Sequence, residues 1–227
     1  MTITIEARPL VVVGAGGHGR EILDVVAAVN AVHHTWIVRG VFADDDPGDA
    51  LSRHGIPWLG RLESGETLAI NAATVHTATV NTAPTEYIVA IGDPATRERV
   101  AAICATHGWE PATLVHSGAS LGSHCSIGGG TVLFNASVLT TGITLGPHVH
   151  INTRASVSHD CTIAAFATVG PAAVLCGGVS IGMRAYIGAA AVVLPGLRVG
   201  DDAMVGAGAI VVCDVADGAR VKGIPAR

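Results

Sequence analysis

Residues 121–150, cut every six positions, read LGSHCS, IGGGTV, LFNASV, LTTGIT, LGPHVH. Each block opens on Leu or Ile. The same step runs outward in both directions, from Val115 through Leu121, Ile127, Leu133 and Leu139 to Val205 and Val211. Seventeen successive positions are aliphatic without a break. Four residues after each, 12 of the 17 are Ala, Ser, Cys or Thr, among them Ala119, Cys125, Ala155, Cys161 and Ala209. A period of six fits neither the 3.6-residue helix nor the heptad, and it is longer than a simple strand alternation. It fits a triangular coil in which each short strand sends one aliphatic residue inward and each corner one small residue. Three blocks then close one coil, and coils stack as parallel strands about 4.8 Å apart. Eight blocks carry Gly immediately after the aliphatic residue, such as Gly122, Gly182 and Gly200. These glycines are expected to permit turn conformations closed to other residues.

This pattern resembles the left-handed parallel β-helix of the hexapeptide-repeat acyltransferases. The left hand is what the resemblance implies, because the general rule for crossover connections favours the right. The expected fold is an α/β, Rossmann-like N-terminal subdomain over residues 1–110, followed by an all-β left-handed parallel β-helix over 111–227.

Composition narrows the function. The chain has 227 residues, 49% hydrophobic and 14% charged, with 29 glycines and only eight aromatics. That describes a regular scaffold of small and aliphatic residues and argues against disorder. A net charge of −5 gives no basic field for nucleic acid or anionic lipid. No apolar run approaches ~20 residues, so no membrane span is expected. The opening MTITIEARPLVVVG lacks the charged flank and long apolar core of a signal peptide. Five cysteines (Cys104, Cys125, Cys161, Cys176, Cys213) form no CxxC pair and read as reduced packing residues of a cytoplasmic protein.

The first half contains PLVVVGAGGHGREILDVVAAV, a strand, a glycine turn and an amphipathic helix. Gly14, Gly16 and Gly19 satisfy GxGxxG in that context. Such a turn lets a phosphate approach the backbone at a helix N-terminus, which favours negative charge. A second strand, WIVRGVF, runs into Asp44, Asp45 and Asp46, whose carboxylates can accept from ribose hydroxyls or a base edge. A third, EYIVAIGD, ends in Gly92 and Asp93, with Asp93 placed to cap a helix starting at Pro94. The unit ends near residue 110, before the second half that a dinucleotide needs, so one nucleoside diphosphate fits better. A glycine turn that only packs helix on strand remains open. The stretch 67–83 matches no element and is treated as a variable loop.

His159 and Asp160 lie in ASVSHDC. His159 falls two residues after Val157, a position that points out of the coil. One coil away stand Thr141 on one side and Gly177 on the other, the latter followed by Gly178. A bare glycine step beside an outward histidine leaves room for a thin acyl carrier, and an amide N–H there can meet an oxyanion. A solvated surface histidine is the alternative. His148 and His150 form HxH without an evident third ligand, so no metal is expected. His116 and His124 look like exposed repeat positions, and His18 lies inside the glycine turn.

GAGGHG, a strand ending ADD, the AIGD strand, INTRASVSHDC in the repeat and a terminal GIPAR together resemble one family, along nearly the whole chain. It is the sialic-acid/bacillosamine-type sugar O- and N-acetyltransferases, which include enzymes acting on nucleotide-linked amino sugars. The resemblance implies a homotrimer with acetyl-CoA between neighbouring β-helices and the acceptor on the N-terminal domain. It implies His159 as general base and Asp160 as its acidic partner. Gly16, Gly17, His18, Asp44, Asp45 and Gly92 match acceptor positions. Ala189 and Ala207 match acetyl-CoA contacts, and Gly177 matches the backbone donor to the thioester oxygen. A histidine common in the family at a CoA contact is Thr168 here, and Pro94 stands where an amide-type residue is common.

The chemistry agrees with that assignment. An amine or hydroxyl sheds a proton as it attacks a thioester, and imidazole is suited to take it. Asp160, if it reaches the ring, favours the imidazolium formed on attack. No cysteine has the context of a nucleophile, so direct transfer is expected. Two other readings stay open: O-acetylation of a free sugar or another small metabolite, and a non-catalytic β-helix that binds a nucleotide sugar.

Overall fold

In the computed structural model the six-residue period becomes 18 two-residue strands, β5 (Leu114–Val115) to β22 (Arg220–Val221). The structure describes residues 7–52, 54–62 and 84–227; the stretch 67–83 and the first six residues lie outside them. The chain divides into two units, Met1–Ala112 and Thr113–Arg227.

The first unit carries a four-stranded parallel sheet of order β2-β1-β3-β4: β1 Arg8–Val13, β2 Trp36–Phe42, β3 Glu86–Val89 and β4 Glu110–Pro111. β1 is the Val-rich run, buried from Pro9 to Val13 as a central parallel strand requires. Helix α1 (Gly17–Val32) turns Gly19, Ile22, Leu23, Val25 and Val26 inward, the spacing of one helical face. Asn30 ties the end of α1 to β2, accepting from the Thr35 and Trp36 amides at 3.0 Å each. A short turn, α2 (Asp49–Ser52), follows β2. Helix α3 (Pro94–Thr106) starts where the sequence signals it, with Asp93 accepting from the Thr96 amide at 2.8 Å and Pro94 in the first turn. Arg97 of α3 is fully buried and donates to the carbonyls of Ile91 (2.9 Å) and Gly92 (3.1 Å), which pins the end of β3. Burial lowers its pKa to about 10, so it still carries charge at pH 7.

In the second unit the strands form three parallel sheets of five, seven and six strands. Partners lie 18 residues apart: Val157 pairs with Leu139 and Leu175, and Ile163 with Leu145 and Ile181. The left-handed parallel β-helix is the fold of this unit. The repeated aliphatic positions from Leu133 to Val211 are buried and make one continuous core. Leu121 is the exception at 46% exposed, because its strand ends the six-stranded sheet and no coil lies beneath it.

The glycines after the aliphatic residues have a different reason from the expected one. Their φ angles are not positive; a Cβ there would run into the backbone of the next coil, as at Gly146, 2.6 Å from Ala165 N. The left-handed turn position falls two residues later. Every sixth residue from 124 to 208 has positive φ, and ten of these are not glycine, including His124, Arg154, Asp160, Phe166 and Ala190. Each such residue costs about 1 kcal/mol in isolation, offset by the ladder bonds on either side. Gly146→Ala is therefore expected to destabilise by about 1–3 kcal/mol in a urea melt, since backbone cannot step aside. Ala190→Gly, at φ 55, should stay within about 1 kcal/mol of the parent.

Candidate active site

His159 and Asp160 occupy the corner between β12 (Ser156–Val157) and β13 (Thr162–Ile163). Asp160 takes the left-handed turn position, φ 61, which Asp tolerates better than most residues. That backbone turns its carboxylate back to the neighbouring ring, and His159 Nδ1 lies 2.9 Å from Asp160 Oδ2. A carboxylate only accepts, so Nδ1 holds the proton and Nε2 is the basic nitrogen. The Cε1–Nε2 edge lies over Gly177, where a Cβ would be 2.5 Å from both atoms. On the other side Asp160 Oδ1 lies over Gly142, 2.7 Å from where its Cβ would be. Two glycines bracket the pair; the sequence reading found Gly177 and missed Gly142. Both side chains are open, 63% and 73% exposed.

The ladder continues past this corner through Gly178, whose amide donates to the His159 carbonyl at 2.9 Å. Among the described residues the Gly177 amide is not used by the ladder, as an oxyanion donor requires. Gly177→Ala should leave the coil folded, because the exposed ring can swing aside. If the imidazole does chemistry, its displacement should lower kcat by about 10²-fold, measured as turnover at saturating substrates beside an unchanged melting curve.

Ala189 and Ala207 are exposed and stack one above the other, with Gly208 N donating to Ala189 O at 2.8 Å. They stand on the corner after the seven-stranded sheet, whereas His159 and Gly177 stand on the corner after the six-stranded sheet. Within one β-helix the six-stranded sheet separates the two groups. Thr168 belongs to neither corner. It lies in β14 (Thr168–Val169), 4% exposed, between His150 and Tyr186 of the adjacent strands, so its hydroxyl is shielded in the single chain. His148 stacks on Phe166 at 4.9 Å and His150 meets the Phe134 ring edge, so the HxH pair is engaged in packing.

The first unit has a cleft of about 550 Å³ at the ends of β1 and β2. Gly14 and Gly16 line one part of it, and Asp44, Asp45 and Asp46 another. Gly14 has φ +115 and a Cβ there would meet Ala90 O at 2.6 Å, so this turn needs glycine. Gly17, His18, Gly19 and Gly92 do not line the cleft. Gly17 and Gly19 are inside α1, and Gly19 is buried against the Gly14 carbonyl, where it lets helix pack on strand. His18 faces Glu21 at 3.0 Å. Burial holds its imidazole below the ordinary range against the pull of Glu21, so it is neutral at pH 7.

The sequence reading missed another part of the lining: Thr96, Arg99, Val100 and Ile103, one face of α3. Their i, i+3, i+4, i+7 spacing was the available signal. It also missed Arg61, which donates to the Asp44 carbonyl at 2.5 Å and stands 3.6 Å from the Asp45 carboxylate.

Comparison with known proteins assigns this architecture. The model of the PglD N-terminal domain family matches residues 9–103. The acetyltransferase domain of PglB from Neisseria gonorrhoeae FA1090 is 32% identical, covering 97% of this chain and 98% of that one, with a TM-score of 0.81. The chain belongs to the hexapeptide-repeat amino-sugar N-acetyltransferases. This acetyltransferase is also similar to PerB from Caulobacter crescentus, solved in complex with CoA and GDP-perosamine, at 29% identity over 100% of this chain and 99% of that one, TM-score 0.80. A curated relative, GDP-perosamine N-acetyltransferase of Escherichia coli O157:H7, is 36% identical over 98 residues. That match spans 43% of this chain and 44% of the relative, less than half the length of the curated protein. The same PglB domain has been solved with acetyl coenzyme A, at 31% identity to this chain.

Proposed function

We propose that this enzyme transfers acetyl from acetyl-CoA to the amino group of a nucleotide-linked amino sugar, by direct attack with His159 as general base. The observation that carries the reading is the His159 ring, held through Nδ1 by Asp160 with its basic edge over Gly177. The amine attacks the thioester carbonyl and the Gly177 amide stabilises the developing oxyanion. His159 Nε2 takes the proton lost by the amine, and Asp160 balances the imidazolium. Collapse expels the CoA thiolate, which takes up a proton, and leaves the amide. The acceptor nucleotide occupies the cleft of the first unit, with its phosphates on the Gly14–Gly16 turn. PerB, solved with GDP-perosamine, and the GDP-perosamine N-acetyltransferase, named for that sugar, support a nucleotide-linked acceptor.

The proposal includes a trimer. A CoA that touches both the Ala189–Ala207 corner and His159 spans two copies, because those corners sit at opposite edges of the six-stranded sheet. Four of the six outward positions of that sheet are aliphatic, Val138, Val174, Val192 and Ile210, the others being Ser120 and Ser156, and Leu194 and Val212 are exposed beside them. The five-stranded sheet shows Ser126, Thr144, Thr162 and Ser180 instead. With the aliphatic face turned to a three-fold axis, the His159 corner of one copy lies beside the Ala189 corner of the next. Five free cysteines suit a reducing, cytoplasmic setting.

The test is release of CoA thiol with a panel of amino sugars linked to UDP, GDP and dTDP, beside free amino sugars and hydroxyl acceptors. Turnover with a nucleotide-linked amine is expected. Turnover with a free hydroxyl acceptor alone would replace this reading by O-acetylation. Asp44→Asn should raise the acceptor KM about tenfold by removing one charged hydrogen bond, and leave the acetyl-CoA KM unchanged.

A further inference from the structure

Among the described residues the acceptor cleft is lined by three carboxylates, Asp44, Asp45 and Asp46, and one guanidinium, Arg99. The loop occupies two of the carboxylates itself: Asp46 accepts from the Gly48 amide at 2.9 Å, and Asp45 faces Arg61 at 3.6 Å. The arginines around it are likewise engaged, Arg61 with Asp44 and Asp45 and Arg97 with the Ile91 and Gly92 carbonyls. Arg99 differs. Among the described residues it makes no hydrogen bond or ion pair, and its charge is felt only weakly at Asp93.

Its surroundings restrict what it can meet. Arg99 shares the α3 face with Val100 and Ile103, and Phe42 and Leu62 also line the cleft. The diphosphate has its own seat, the glycine turn at the start of α1. What remains is a slot with apolar walls and a planar donor fork, which suits a flat heteroaromatic ring.

We propose that Arg99 reads the nucleobase of the acceptor and that this base is guanine; the inference rests on the nucleotide filling this cleft. Guanine presents O6 and N7 as adjacent acceptors, matched by the two parallel donors of a guanidinium. Uracil and thymine set an N–H between their two carbonyls, so the fork finds one acceptor at a time. Adenine offers an amino group beside N7, donor against donor.

Calorimetry on the whole protein tests this with GDP, 7-deaza-GDP, UDP and dTDP. GDP is expected to bind roughly 10- to 100-fold tighter than UDP or dTDP, and 7-deaza-GDP, which lacks the N7 acceptor, to lose most of that margin. Arg99→Met should erase the preference while the KM for acetyl-CoA stays unchanged, and Arg99→Lys should restore part of it. Tighter binding of UDP or dTDP overturns the inference and leaves the cleft reading intact. So does equal binding of 7-deaza-GDP, and so does an Arg99→Met variant that weakens every nucleotide by one factor, which would assign Arg99 to the phosphates. Binding of none of the four to the parent protein would overturn both the inference and the cleft reading.

Discussion

His159→Ala is expected to lower kcat for acetyl transfer by about 10²–10⁴-fold, the usual contribution of a positioned general base. The ring is 63% exposed and touches its surroundings mainly through Asp160 and the Gly177 backbone. Its removal therefore leaves no core cavity, and the melting temperature should hold. Acetyl-CoA and acceptor affinities should hold as well, which separates loss of chemistry from loss of binding. Asp160→Ala should cost less, because it removes the group that orients the ring and balances its charge while the basic nitrogen stays. A His159→Ala enzyme with near-parent turnover at saturating substrates would mean that the amine arrives already neutral and that His159 only positions it.

Val192→Asp is the second large expectation. Val192 stands on the outer face of the six-stranded sheet, between Val174 and Ile210 on the neighbouring strands. If that face closes the trimer, an unpaired carboxylate on it costs several kcal/mol per copy to bury, on the order of the penalty for an isolated interior charge. Three copies carry it at once, so light scattering at micromolar concentration should report monomer. Acetyl transfer should fall to background, because the Ala189 corner of a neighbour no longer stands beside His159. The coil itself should survive, since Val193 still points inward and the circular dichroism of the β-helix needs no partner. Thr162→Asp, on the five-stranded face, is the matched control and should change neither mass nor rate. A trimeric, active Val192→Asp protein would move the interface to another face.

The two halves of the protein were legible to different depths. In the β-helix, burial of each aliphatic residue is a local demand repeated every six positions, so the pattern shows through any single irregularity. The turn residues carry no comparable signal: His124, Arg154, Asp160, Phe166 and Ala190 share one left-handed conformation and little else. Their strain is carried by ladder bonds to coils 18 residues away, which no local reading contains. In the first unit, strand and helix starts were marked by Val runs, Gly14 and the Asp93 cap. The cleft was half legible. Its glycine and aspartate wall follows directly from strands β1 and β2, but its other wall is a face of α3 about fifty residues later.

Sequence by itself determined the coil, its inward positions, the outward histidine with its acidic neighbour and the bare step at Gly177, because each depends on spacing within one turn. Tertiary structure alone decided that Gly146 and its equivalents are glycine for the approach of the next coil and that Thr168 is shielded. It also decided that Arg99 and the aspartates line one cleft. Those are contacts between residues far apart in the chain, and hydrophobic periodicity records which side of an element is buried, not what is packed against it.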